Sequence, residues 1–182
     1  MIIIFIGPPF AGKDTQSKLL GQKLQIPIFG MGHLIREASS VGHHKAIKGL
    51  EEYSLKGLHV PNSLKFELLK NEMDKAQSGF ILDNYPATQE DLDTLLDYLR
   101  ESHLSIHRVF YLSISIDEMN NRILNRGRKD DIIEIIDKRR LNQDEDRKPV
   151  IEYFKHINLL TEINGEQSVE DIQEIITKTL QT

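Results

Sequence analysis

Five apolar residues in a row, Ile2-Ile3-Ile4-Phe5-Ile6, stop abruptly at Gly7-Pro8-Pro9. An unbroken apolar run of this kind suits a strand covered on both faces, as in a parallel sheet. It is too short to span a membrane and no basic stretch precedes it, so it reads as a buried strand rather than a leader or an anchor. The next residues narrow the fold further. Gly7-x-x-x-x-Gly12-Lys13 stands between this run and a helical stretch from about Lys13 to Leu24. Strand, glycine-rich turn and helix in that order make a phosphate-binding loop. Backbone N–H groups face the anion, small residues allow close approach, the helix N-terminus adds partial positive charge and the lysine supplies a cation. Gly7, Pro8, Pro9, Phe10, Ala11, Gly12 and Lys13 are therefore candidate ATP contacts. The signature expects Ser or Thr after the lysine, to reach Mg²⁺. Here Asp14 and then Thr15 follow, and both join the candidate set.

The rest of the chain alternates strand and helix signals. A short apolar run, Ile26-Pro27-Ile28-Phe29, comes next. From about Gly32 to Gln77 no strong strand signal appears, and helical spacing of Phe66, Leu69, Met73 and Ala76 with breaks at Gly42, Gly49 and Gly57 predicts several short helices. Gly79 to Asp83 reads as a buried strand ending in a carboxylate. Leu92, Leu95, Leu96 and Leu99 mark one face of a helix that Thr88 can cap. Arg108 to Ile114 predicts a strand, and Asp117 is the expected cap of a helix ending near Gly127. Asp131-x-x-Glu134 resembles a capping box. Pro149 is expected to interrupt the next helical pattern. Leu159 to Ile163 predicts a last strand, closed by Asn164-Gly165. Ser168-x-x-Asp171 then opens a terminal helix with Ile172, Ile175, Ile176 and Leu180 on its apolar face.

This order predicts a three-layer α/β fold of the P-loop NTPase type, with a central five-stranded parallel sheet and helices on both faces. Ligands bind such sheets at the carboxyl ends of the strands, where Gly7 and Asp83 both fall. Asp83 suits a carboxylate that holds Mg²⁺ through water.

Composition bounds the alternatives. The chain has 182 residues, 39% hydrophobic and 28% charged, enough for one domain with a sizeable core. Its net charge of −5 argues against a general nucleic-acid binder. The absence of cysteine excludes disulfides and thiol chemistry. A cytoplasmic monomer with no nucleic-acid or membrane partner is expected. His43, His44, His103 and His107 read as surface histidines, and Asp144-Glu145-Asp146 as a solvated helix turn.

Five segments together resemble the adenylate kinases, or more broadly the nucleoside monophosphate kinases, over nearly the whole chain. Gly7 to Gln16 is similar to G-x-P-G-x-G-K-G-T-Q. Gly32-His33-Leu34-Ile35-Arg36 is similar to G-D-x-L-R, and Gly57-Leu58-His59-Val60-Pro61 to G-x-x-V-P. Gly79 to Ala87 resembles G-F-x-L-D-G-[FY]-P-R. Arg122, Arg126, Arg128 and Arg139 fall where that family keeps its lid and phosphate-clamping arginines. The resemblance implies a core of 1–29, 60–121 and 132–182, an insertion of about 30–59 that binds the monophosphate, and a short lid of about 122–131. It implies transfer of the γ-phosphoryl of Mg-ATP to a nucleoside monophosphate. Lys13, Arg126, Arg128 and Arg139 would carry catalysis and Arg122 would flank the ATP base. Met31, Arg36, Gly57, Val60, Asn84, Ala87, Gln89, Asp91 and Arg139 would meet the monophosphate.

The chain departs from the pattern at several of these positions. Phe10 and Asp14 replace loop glycines, Met31, His33 and Asn84 replace other motif residues, and Ala87 stands where the family has an arginine that grips the monophosphate. Asp91 occupies the slot of a base-reading glutamine, with Gln89 out of register, and Pro86 to Leu92 also resembles the UMP/CMP kinase run. AMP is the first expectation. CMP, UMP or another small acceptor, and a nucleotide-binding relative with little or no turnover, are the alternatives.

Overall fold

The computed structural model describes residues 1–126 and 133–181. Strand β1 (Ile2–Ile6) leads through the glycine-rich loop into helix α1 (Lys13–Leu24), and β2 (Ile28–Gly30) into α2 (Met31–Ser40). Helix α3 (His44–Glu52), a 3₁₀ turn at Ser54–Lys56 and α4 (Asn62–Met73) come after it. Then come β3 (Phe80–Asp83), α5 (Gln89–Glu101), β4 (Arg108–Ser113), α6 (Ile116–Arg126), α7 (Ile133–His156), β5 (Leu160–Asn164) and α8 (Val169–Thr179). The five strands form one parallel sheet in the order β2-β3-β1-β4-β5.

Strand alternation builds the two outer layers. Ile2, Ile4, Ile6, Phe80, Leu82 and Val109 share one cluster with Leu69 of α4, Leu92 and Leu95 of α5, and Val150 and Phe154 of α7. Ile3, Phe5, Ile81, Phe110 and Leu112 belong to the other, with Leu20 of α1 and Ile172 and Ile176 of α8. Successive side chains point to opposite faces, so a continuous apolar run feeds both layers at once.

The chain leaves β1 toward β2 and β3, and leaves β4 toward β5. Loops after these two neighbouring strands therefore diverge and open a crevice at their carboxyl ends. Gly7 begins the loop there because no side chain fits: a Cβ at its position would stand 2.3 Å from the carbonyl oxygen of Leu112 on β4.

Local signals set the helix ends. Thr88 Oγ1 accepts the Asp91 N–H at 3.2 Å, and Ser168 Oγ accepts the Asp171 N–H at 3.1 Å. Two expectations are corrected. Helix α6 starts at Ile116, and its cap is Ser115, whose Oγ accepts the Glu118 N–H at 3.2 Å, while Asp117 lies in the first turn. Helix α7 continues through Pro149 to His156. Its later half is anchored by Val150 and Phe154, both fully buried, so packing outweighs the missing proline donor. The expected capping box at Asp131 lies outside the described residues.

Phe110→Ala removes a fully buried ring between the layers and is expected to cost about 3–5 kcal/mol. Thr88→Ala, which removes one cap, is expected to cost about 1 kcal/mol. Urea denaturation of both variants checks the ranking.

Candidate active site

The glycine-rich loop closes on itself. Lys13 Nζ donates to the Pro8 carbonyl at 2.7 Å, and Gly12 takes the left-handed conformation (φ 93°) that starts α1. Gly7, Pro8 and Ala11 are buried, while Pro9, Phe10, Gly12, Lys13, Asp14 and Thr15 border a cavity of about 600 Å³. Phe10 is also left-handed (φ 63°), a conformation that costs a side-chain-bearing residue about 1–2 kcal/mol. Its packing partners are Met119 and Ile123 of α6, 1% and 3% exposed, which offset that cost. Asp14 is exposed and bonded to Lys18 at 2.7 Å, one turn along α1, which offsets its charge beside the loop.

Register brings the second charge alongside. Phe5 of β1 pairs with Asp83 of β3, so the carboxylate ends its strand where the loop begins. Asp83 Oδ1 is buried without a hydrogen-bond partner. Burial, opposed by Lys13, pushes its carboxyl up to about 6. Burial likewise pushes the Lys13 ammonium down to about 8, with Arg147 adding to the fall and Asp83 and Asp14 opposing it. Each charge is thus under-solvated.

Arg122 of α6 borders the same cavity and ties it together. Its Nη1 donates to the Phe10 carbonyl at 3.1 Å, its Nη2 to the Gly165 carbonyl at 2.9 Å, and its Nε to Glu118 at 2.7 Å. Met31, Arg36, Val60, Asn84 and Ala87 also line the cavity. Asn84 takes the left-handed conformation (φ 62°) in place of a glycine, and its N–H donates to the Phe5 carbonyl; asparagine tolerates that region. Gly57 is buried away from the cavity, closing the 3₁₀ turn at φ 73°.

Two further acceptor contacts expected from sequence also do not reach the cavity. Gln89 is exposed and donates to Asp93 at 2.7 Å on the outer face of α5. Asp91 is fully buried; its Oδ2 accepts from Lys65 Nζ at 2.6 Å and from the Ala87 N–H at 3.0 Å. Arg128 lies outside the described residues, as do the side chains of Arg126 and Arg139.

Other residues came to light only in the structure. Arg147 of α7 is 2% exposed and held by Asp144 at 2.7 Å. Asp146 faces His59 Nε2 at 3.2 Å. The acidic run 144–146 is therefore not simply a solvated turn, because its first and last members organise groups close to the cavity. A cation three residues after an acid on one helix was the available signal. Lys65, 5% exposed, borders the cavity from α4, and no sequence cue pointed to it. Among the described residues no group of three or more His, Asp or Glu is placed to hold a metal ion, and no helix is long and apolar enough to cross a membrane.

A phosphate-gripping loop after one parallel strand, with a carboxylate ending the next, defines a P-loop nucleotide-binding protein. The family model for adenylate kinase matches residues 5–159. The chain is 34% identical to "Adenylate kinase 1" of Nostoc sp., over 98% of this chain and 97% of that protein. It is 33% identical to an adenylate kinase of Leptospira biflexa, over 98% of each. It is 35% identical to one of Corynebacterium urealyticum, over 96% of each. The chain belongs to the adenylate kinase family, whose members are phosphotransferases.

Lys13 makes stability depend on pH in a definite sense. Unfolded, it keeps its proton to about 10.5; folded, it releases it near 8. Between these values the unfolded chain binds more protons, so stability rises as pH rises from about 8 to about 10.5, and the charged lysine costs the fold most below 8. Lys13→Met lacks the buried charge. The variant is expected to exceed wild type in urea midpoint at pH 7, with the gap narrowing as pH rises from 8 to 10.5. A gap that stays constant across this range contradicts the assignment.

Proposed function

We propose that this protein transfers the γ-phosphoryl of Mg-ATP to AMP, giving two ADP. The observation that carries the reading is the convergence of Lys13, Asp83 and Arg36 on one cavity at the carboxyl ends of the strands. The relatives' names supply the acceptor.

Phosphoryl transfer needs positioning and concentrated positive charge rather than a nucleophile on the protein. An oxygen of the acceptor phosphate attacks the γ-phosphorus, and the bond to the oxygen bridging β- and γ-phosphorus breaks. Lys13 and the N–H groups of the loop meet the β- and γ-phosphates, and the spread negative charge recovers the solvation that the Lys13 ammonium lacks. Arg122 flanks the donor base. Arg36 and Arg139 hold the acceptor phosphate, and Arg126 and Arg128 close over the transferring group. The buried, unpartnered Oδ1 of Asp83 suits a magnesium site completed by water and phosphate oxygens. Bound there, the ion supplies positive charge that offsets the charge developing on the phosphate oxygens.

The reading includes a division into core (1–29, 60–121 and 132–182), acceptor-binding insertion (about 30–59) and short lid (about 122–131), which close on substrate and exclude water. It also takes the protein as a cytoplasmic monomer without nucleic-acid or membrane partners, in keeping with its net charge of −5.

A coupled assay with Mg-ATP and a panel of AMP, CMP, UMP and GMP tests the reaction. ADP formation is expected, fastest with AMP; none above background with any acceptor overturns the reading. Lys13→Met is expected to lower kcat on the order of 10²–10³-fold, while His43→Ala, remote from the phosphates, stays within a few fold. Ala87 presents only a methyl group where an arginine would grip the monophosphate. Ala87→Arg is therefore expected to raise kcat/KM for AMP, and an unchanged or lower value contradicts this placing of the acceptor phosphate.

A further inference from the structure

One part of the cavity is apolar. Met31 and Ile35 of α2, Val60 before α4 and Ala87 before α5 border it, each less than a tenth exposed. Lys65 enters that surface from α4. Its Nζ donates to Asp91 Oδ2 at 2.6 Å and stands 6.0 Å from the ring centroid of Tyr85.

Three observations show that this ion pair is not explained by stability. A buried pair gains little over an apolar pair of similar size, because both charges lose their hydration. Apolar residues already surround the position, so a leucine or methionine would fit the same wall. The pair is also incomplete: Asp91 Oδ1 is buried without a hydrogen-bond partner. Asp91 itself is fixed. It lies in the first turn of α5, with its N–H on the Thr88 cap and its Oδ2 on the Ala87 N–H. That anchorage aims Lys65 at the cavity and takes one of its three ammonium protons, leaving donor capacity there.

We infer that Lys65 is the hydrogen-bond donor that reads the edge of the acceptor's base, with Asp91 as the residue that positions it. The inference rests on the acceptor being a nucleoside monophosphate, the reading given under the proposed function. Apolar walls suit the faces of a flat heterocycle, and a donor among them selects a base with a ring nitrogen or carbonyl oxygen at that edge. A phosphate is a poor match, since it would find a charge-neutral pair among apolar side chains, whereas Lys13 and Arg36 offer cations elsewhere in the cavity. For adenine the acceptor atom is N1 or N7. Asp91 thus serves the acceptor through Lys65, without touching it.

The test compares wild type with the double variant Lys65→Met/Asp91→Asn. The asparagine keeps an acceptor for the Ala87 N–H, and no unpaired charge is left in the core, so the fold survives; thermal unfolding checks this. Calorimetry measures binding of AMP, 1-deaza-AMP, 7-deaza-AMP, ribose 5-phosphate and Mg-ATP to both proteins, and the coupled assay gives KM where there is turnover. Wild type is expected to bind one of the two deaza analogues about tenfold or more weaker than AMP, the loss of one charge-assisted hydrogen bond. The double variant is expected to lose about the same factor for AMP, to treat all three nucleotides alike, and to keep its affinity for Mg-ATP. Wild type that does not discriminate, or a double variant that discriminates equally well, overturns the inference. So does equal weakening toward all three monophosphates and ribose 5-phosphate, which would make Lys65 a phosphate contact. If AMP is phosphorylated but the double variant binds it as wild type does, this inference fails alone. If no acceptor is phosphorylated, the proposed reaction fails, and the binding comparison still decides the role of Lys65.

Discussion

Lys13 at the start of α1 and Asp83 at the end of β3 are opposite charges drawn out of water, and the arrangement of the cavity follows from keeping them there. Each is held against its preference. Desolvation pushes the ammonium down and the carboxyl up, while their mutual attraction opposes both shifts. The register of β1 against β3 fixes the pair, and the sheet is deep enough in apolar packing to hold that register. A one-residue slip would send each side chain of the strand into the opposite layer and undo the packing of both. The site is therefore strained by solvation rather than by bad geometry.

Much of the fold was legible in the sequence because its determinants are local. The run at Ile2–Ile6, the four-leucine face of α5 and the caps Thr88 and Ser168 depend on neighbours within a turn or a strand. The phosphate loop is legible for the same reason, as strand, turn and helix are contiguous. Where expectation and structure part, the cause is tertiary or positional. Asp117 is a good cap by type, but Ser115 comes first. Pro149 breaks an isolated helix, yet α7 carries it because Val150 and Phe154 are locked into the core.

The site divided along the same line. Phosphate-loop positions and Asp83 came from motif and order. Lys65 and Arg147 did not, because a lysine or arginine on a helix ordinarily points to water, and only packing shows these two buried. Asp91 was legible as important but not for its reason: it stands in a base-reading position by sequence, and in space it lies beneath Lys65.

Phe10 ties this loop to α6. Its left-handed backbone is unfavourable in isolation, and the contacts that offset it come from Met119 and Ile123, more than a hundred residues away. The Arg122 guanidinium closes the same circuit by bonding the Phe10 carbonyl. Glycine at position 10 would relax the backbone and at the same stroke deprive α6 of one of its apolar partners. Neither change is independent of the other, so the loop and α6 form one packing unit. A glycine loop transplanted from a relative would suit this chain only together with that relative's α6.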